Sequence, residues 1–154
     1  MTSSAPPPGE PLGPLVKKVH RRLTELSDDA LEPSGLDRRE YAVLRVLVEH
    51  EPLSQQALAA LLGVDQTTMV AIIDSLEAKA IVTRRPDPSD RRRNAIEVTP
   101  DGRATFRHAS AAYTSAEAAF LAPLGTEAER FRASLRLLLD AASGRADQTG
   151  NSTG

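Results

Sequence analysis

Five arginines crowd into ten residues of this chain: Arg84, Arg85, Arg91, Arg92 and Arg93, against Asp87 and Asp90, for a local excess of +3. A guanidinium is planar, always charged, and donates hydrogen bonds in a fixed fork, so such a cluster suits phosphates or another polyanion. Upstream lies a second group: Gln66, Thr67, Thr68, Val70 and Ala71. Glutamine pairs bidentately with adenine, threonine hydrogen-bonds a base edge or a phosphate, and valine or alanine meets a thymine methyl. Together the groups have the chemistry to grip a nucleic-acid backbone and read its bases. A run of like charge is more often a solvated face, so the decision rests on the elements that hold it.

Residues 54–62 carry an amphipathic helical pattern that breaks at Gly63, and a second helical pattern covers 65–80. Ser54 is placed to cap the first, whose free N–H groups, with Gln55 and Gln56, can meet a phosphate. Asp65 caps the second near Thr68, with Val64 as a hydrophobic staple. Met69, Ile72, Ile73, Leu76 and Ala80 then share a core face, leaving Gln66, Thr67, Val70, Ala71 and Asp74 opposite. Two β-prone runs, 81–85 and 94–99, bracket a tip at 86–93. Helix, tight turn, helix and arginine-tipped hairpin is the order of a winged helix-turn-helix. That device lays one helix in the major groove and a basic finger along the minor groove. Arg91, Arg92 and Arg93 then face a narrow, electronegative groove, with Asp90 bracing one of them by a charge-assisted hydrogen bond.

The fold class expected is mainly α with a small β-hairpin wing, the winged helix-turn-helix (37–99) lying between N- and C-terminal dimerisation helices. Leu12, Val16, Val19, Leu23, Leu26 and Ala30 step by four and three, a seam for another helix, predicting a helix over 12–31 in an N-terminal segment of 12–36. Asp37 with Glu40 is a capping box for a helix with Tyr41, Leu44, Leu47 and Val48 on one face, closed by Pro52. Thr99-Pro100 opens a helix to about Leu121, and Thr126 with Glu129 opens another carrying Phe131, Leu135, Leu138 and Ala142. These helices (100–142) and the first either pack on their own domain or join two copies. Their apolar stripes exceed what one small module covers, which favours self-association. Residues 1–11 and 143–154 are rich in Pro, Gly, Ser and Thr and are expected to be disordered tails.

Composition narrows the rest. With 3% aromatic residues and no Trp or Cys among 154 residues, aliphatic side chains fill the interior, which suits helices. The absence of cysteine excludes disulfides, thiolate metal sites and thiol redox sensing. His20, His50 and His108 are far apart, without metal spacing, and there is no phosphate loop or nucleophile elbow, so neither an enzyme nor a metal site or cofactor is expected. No signal peptide or membrane-spanning run is visible, and a cytoplasmic protein without membrane contact is expected. The net charge of −2 is not the field a polyanion meets, because residues 25–51 alone hold eight acids and three arginines.

Residues 53–102 resemble the MarR family of bacterial winged-helix repressors. The likeness is carried by Leu58-Ala59, Leu62-Gly63-Val64-Asp65, Asp90-Arg91-Arg92 and Val98-Thr99-Pro100-Asp101-Gly102. The order of flanking helices extends it to about residues 12–142. The resemblance implies a homodimer with interleaved terminal helices, a palindromic double-stranded operator, and repression relieved by a small, often aromatic or anionic ligand. It gives Asp90 and Arg92 a minor-groove role and Thr67, Thr68, Val70 and Ala71 a place on the DNA-contacting helix. It also places Arg84 where an anionic ligand can bind, a phosphate contact or a structural ion pair being the alternatives there. Tyr41 and His20 are candidates for the same crevice. The competing reading is a winged helix used only for protein–protein contact, against which the arginine-rich wing counts.

Overall fold

The structure, a computed structural model, describes residues 9–149. Its elements run α1 (Leu12–Leu31), α2 (Arg38–His50), β1 (Leu53–Ser54), α3 (Gln55–Leu62), α4 (Gln66–Ala78), β2 (Val82–Pro86), β3 (Asn94–Val98), α5 (Pro100–Leu121) and α6 (Ala128–Thr149), with 3-10 turns at Glu32–Ser34 and Ala122–Glu127. The chain divides after Glu117 into two compact units. Among the described residues no single helix is long and apolar enough to cross a membrane.

The first unit is organised around aliphatic side chains. Leu31, Leu44, Leu47, Leu58, Met69, Ile73, Leu76 and Ile96 are all fully buried in one cluster, with Phe106 and Tyr113 of α5 packed against it. Tyr41 stacks on Tyr113 and Phe106 with ring centroids 4.8 and 5.9 Å apart. A single cluster that draws on α2, α3, α4, the sheet and α5 leaves α4 only one face to present to solvent.

The sequence patterns for α1 and α2 are realised. α1 spans 12–31, and Asp37 accepts from the Glu40 N–H while the Glu40 carboxylate accepts from the Asp37 N–H. That carboxylate does more. It is 3% exposed and also accepts from Lys79 Nζ at 2.7 Å and Ser75 Oγ at 2.6 Å, tying the start of α2 to the end of α4. Burial by itself pushes the Glu40 pKa up. The hydrogen bonds from Lys79, Ser75 and the Asp37 N–H outweigh it and hold the group below its ordinary value.

At the far side of the hairpin, Thr99 is a cap and a fastener at once. Its hydroxyl accepts from the Gly102 N–H at 2.9 Å and donates to the Ala80 carbonyl at 2.7 Å, while its own N–H donates to the Ile81 carbonyl. Gly102 lies so close that a Cβ there would stand 2.1 Å from the Ile81 carbonyl oxygen. The spacing Thr99-x-x-Gly102 thus presses the first turn of α5 onto the exit of α4.

Four expectations are corrected. The sheet has three strands, in the order β1-β3-β2, because Leu53 and Ser54 pair antiparallel with Ile96 and Ala95. Two residues are too few to show a strand's period-2 alternation. Ala80 is not on the core face: it is exposed, at φ 58°, and ends α4 in the left-handed conformation, with the Ile81 N–H donating to Leu76. Thr126 falls inside the second 3-10 turn rather than capping α6, the chain reversing instead at Gly125 with φ 52°. Finally, α6 continues through Thr149 instead of stopping near 142, since Arg145, Ala146 and Gln148 favour a helix despite Gly144. The remainder of the expected tails, residues 1–8 and 150–154, lies outside the described residues.

Two outcomes follow. Gly102→Ala overpacks the α4–α5 junction and is expected to lower unfolding free energy by about 1–3 kcal/mol, read from urea midpoints. For Glu40 the folded pKa is depressed, so its contribution is present above the unfolded value of about 4.3 and is lost as pH falls through the folded one. Glu40→Gln should therefore destabilise by roughly 1.5–3 kcal/mol at pH 7 and by progressively less toward pH 3. A penalty independent of pH over that range contradicts the assignment.

Candidate nucleic-acid interface

Gly63 sets the angle of the helix-turn-helix. It sits at φ 62°, the left-handed conformation glycine adopts without steric cost, and the axis turns by 115° between α3 and α4. The Val64 N–H donates to the Ala59 carbonyl to close the turn. Ser54 caps α3 by accepting from the Ala57 N–H at 3.1 Å, and Gln55 and Gln56 follow on its first turn, half-buried and exposed respectively.

Asp65 uses both carboxylate oxygens on α4 itself, one accepting from the Thr68 N–H at 2.8 Å and the other from the Thr68 hydroxyl at 2.6 Å. These bonds hold the Asp65 pKa below its usual value, so the cap is ionised at neutral pH. The expected pair of DNA contacts is thus engaged in shaping the first turn. With Met69, Ile73 and Leu76 fully buried, the exposed stripe consists of Gln66, Thr67, Val70, Ala71 and Asp74. No lysine or arginine lies on that stripe.

β2 and β3 pair from Val82↔Val98 to Pro86↔Asn94, and the loop 87–93 forms the tip. It is closed by the Asp87 N–H donating to the Arg93 carbonyl and by an Asx turn in which Asp87 accepts from the Ser89 N–H and hydroxyl. Asp90 accepts from the Arg92 N–H at 3.0 Å, and its carboxylate lies 3.7 Å from Arg93 Nε. The arginine it braces is therefore Arg93. Arg92 receives only a backbone contact, which leaves its guanidinium outside any ion pair among the described residues, as is that of Arg91.

The two arginines at the base of the wing are quenched. Arg85 pairs with Glu97 across the ladder at 2.8 Å. Arg84 sends its N–H and Nη1 to the Glu77 carboxylate and Nη2 to Asp74 at 2.5 Å. Of the three alternatives for Arg84, the ion pair is the one that forms. Sequence reasoning missed these partners, because Asp74, Glu77 and Glu97 fall outside the arginine-rich window. The available signal was that Asp74 and Glu77 stand one turn apart on α4, beside the strand that leaves it.

The three residues expected around a ligand crevice are not gathered at one place. Tyr41 is buried in the aromatic stack, Arg84 is clamped, and His20 is exposed on α1. A cleft of about 760 Å³ opens instead between the end of α1, the first turn of α2 and the α3–α4 turn, where Arg39, Val43, Val64 and Ile72 are among its walls. None of the three lines it.

Comparison with known proteins bears on this arrangement. The profile described as MarR family matches residues 34–93. The transcriptional repressor NicR of Pseudomonas putida is 35% identical over 95 residues, covering 62% of this chain, and the match spans only 60% of that protein's length. CouR from Rhodococcus jostii, solved bound to p-coumaroyl-CoA, is 32% identical over 84% of this chain and 92% of its own, with a TM-score of 0.72. A MarR family protein of Mycobacterium tuberculosis, solved in complex with DNA, is 30% identical over 84% of this chain and 98% of its own, with a TM-score of 0.72.

The wing geometry gives its own test. Asp90→Ala removes the acceptor of the Arg92 N–H while touching no core contact, so amide exchange at Arg92 should quicken. The unfolding free energy should change by no more than about 0.5 kcal/mol.

Proposed function

The chain belongs to the MarR family, and we propose that it is a homodimeric repressor that binds a palindromic double-stranded operator in the cytoplasm and leaves it when a small aromatic or anionic effector binds. The observation that carries this reading is the pairing of an exposed, cation-free stripe on α4 with a wing tip whose Arg91 and Arg92 lack acidic partners among the described residues. The stripe suits base edges and thymine methyls in the major groove; the tip suits phosphates or a narrow minor groove. Ser54 and Gln56 at the start of α3 add phosphate contacts. No catalytic step is assigned. The DNA complex of the Mycobacterium tuberculosis relative and the name of NicR support the same reading.

Self-association is supported by apolar side chains left open on each unit. On α1, Leu12, Val16 and Val19 are exposed; on α6, so are Leu135, Leu137 and Leu138. Fully covering a leucine or valine contributes roughly 1.5–3 kcal/mol, so several of these side chains must be covered together to exceed the cost of association. A two-fold dimer presents its two α4 helices to half-sites about one helical turn apart. The ligand complex of CouR supports an aromatic effector. Release requires only that the effector bind the DNA-incompetent arrangement more tightly than the competent one.

The test is a mobility shift on duplexes from the flanking genomic sequence over a range of salt. Affinity should fall log-linearly, with a slope of about −0.9 per phosphate neutralised. Arg92→Ala should weaken binding on all sequences and shallow that slope by about 1, whereas Gln66→Ala should alter preference at one A·T position, at a cost of roughly 1–3 kcal/mol in discrimination. A flat salt response, or a well-folded monomer that shifts no duplex, favours the protein-binding alternative. Addition of p-coumaroyl-CoA or free 4-hydroxycinnamate should release the complex if the effector belongs to that class.

A further inference from the structure

We infer that Arg84 is a positioning residue for DNA binding: it locks the base of the wing to α4 and offsets half the charge of two carboxylates that would otherwise face the DNA backbone. The inference rests on the DNA-binding reading above and adds a residue to it. Asp74 follows Val70 by one turn on the exposed stripe and is itself exposed, so an unneutralised carboxylate there stands among the groups assigned to the major groove. Glu77, half-buried, lies one turn further along α4. Arg84 reaches both, one guanidinium nitrogen to each carboxylate, and its backbone N–H adds a second bond to Glu77.

Two consequences follow from this fork. A bridge between β2 and α4 fixes where the tip, which begins three residues after Arg84, stands relative to the stripe. It also sets one positive charge against the two acids, lowering the charge of the patch from −2 to −1. Lysine offers a single ammonium and no fork, so it can satisfy one carboxylate but not bridge both in plane. Arg84 is only 22% exposed at its side chain, which leaves little of it to serve as a phosphate contact.

The experiment measures affinity for one duplex, at low and high salt, for wild type, Arg84→Gln, Arg84→Lys, the pair Asp74→Asn with Glu77→Gln, and the triple variant combining that pair with Arg84→Gln. Thermal midpoints are recorded alongside. Expected are a loss of roughly tenfold or more for Arg84→Gln, greatest at low salt where repulsion is least screened, a smaller loss for Arg84→Lys, and only partial recovery in the triple variant, where the repulsion is gone but the bridge is still missing. The pair alone, with Arg84 retained, keeps side-chain amide oxygens that accept from the guanidinium fork while losing both negative charges, and should bind as tightly as wild type or more so. That variant keeps the test decisive should Arg84→Gln not fold. A loss in the triple variant as large as that in Arg84→Gln, at an unchanged thermal midpoint, shows that the carboxylates play no part and overturns the inference, as does no loss in Arg84→Gln, or a loss beyond threefold in the pair alone. If wild type itself shifts no duplex, the DNA-binding reading fails first and this one with it, an outcome visible before any variant is made.

Discussion

Everything the α4 stripe can do depends on the burial of its opposite face. Met69, Ile73 and Leu76 are fully enclosed in the cluster that also holds Leu44, Leu47, Leu58 and Ile96. Fully burying each of these side chains contributes roughly 1.5–3 kcal/mol, and removing one leaves a cavity that adds to the loss. Rotation of α4 about its axis would draw them into water. Polar contacts then set the ends of a helix whose roll is already determined: Asp65 and Gly63 at the start, and the Glu40–Lys79 pair and the Thr99 fastener at the finish. Hydrophobic burial decides which face is presented; the caps decide where it begins and stops.

Charge is organised on the same local principle. Eight acids between Glu25 and Glu51 look hostile to a polyanion, yet several are occupied within the module. Asp28 pairs with Arg38 at 2.6 Å, Glu40 with Lys79, and Glu51 with Arg103 while also accepting from the Val98 N–H. The wing shows the converse. Five arginines in sequence become two that have no acidic partner among the described residues, Arg91 and Arg92, because Glu97, Asp74 and Glu77 come in from other elements and Asp90 turns to Arg93. Proximity in the folded chain, and not the running sum along it, sets the field that a nucleic acid meets.

This contrast explains what was legible beforehand. Features fixed by neighbours three or four residues apart were readable: the extent of α1, the Asp37–Glu40 box, the Asp65 cap, the Gly63 turn and the bracketed tip. Features fixed by partners distant in sequence were not. β1 exists because Ile96 and Ala95 offer it a ladder edge, and the Arg84 bridge because β2 returns alongside α4. Ala80 misled for a related reason. Its spacing continues the apolar face of α4, but Thr99, nineteen residues on, holds its carbonyl and the chain has already left the helix. The end of α6 misled in the opposite sense, since a composition of tail-like residues still contained enough helix formers to continue the turn to Thr149.

The bracing also restricts how such a reader can be switched. Bending α4 away from the wing means parting Arg84 from both carboxylates, Lys79 from Glu40, and apolar side chains from the core; the Lys79–Glu40 contact alone contributes roughly 1.5–3 kcal/mol. A ligand shifts an equilibrium only by its differential affinity for the two states, and a swing from 1:99 to 99:1 already takes roughly 5.5 kcal/mol. Adding the disruption of the module to that demand makes internal deformation the costlier route. A change in the separation of two intact modules breaks none of these contacts, and it is enough to take paired helices out of register with a duplex whose half-sites repeat about every 34–36 Å. In the ligand-released dimer proposed above, the stiffness that lets one copy present its stripe and wing together would place regulation in the geometry between copies.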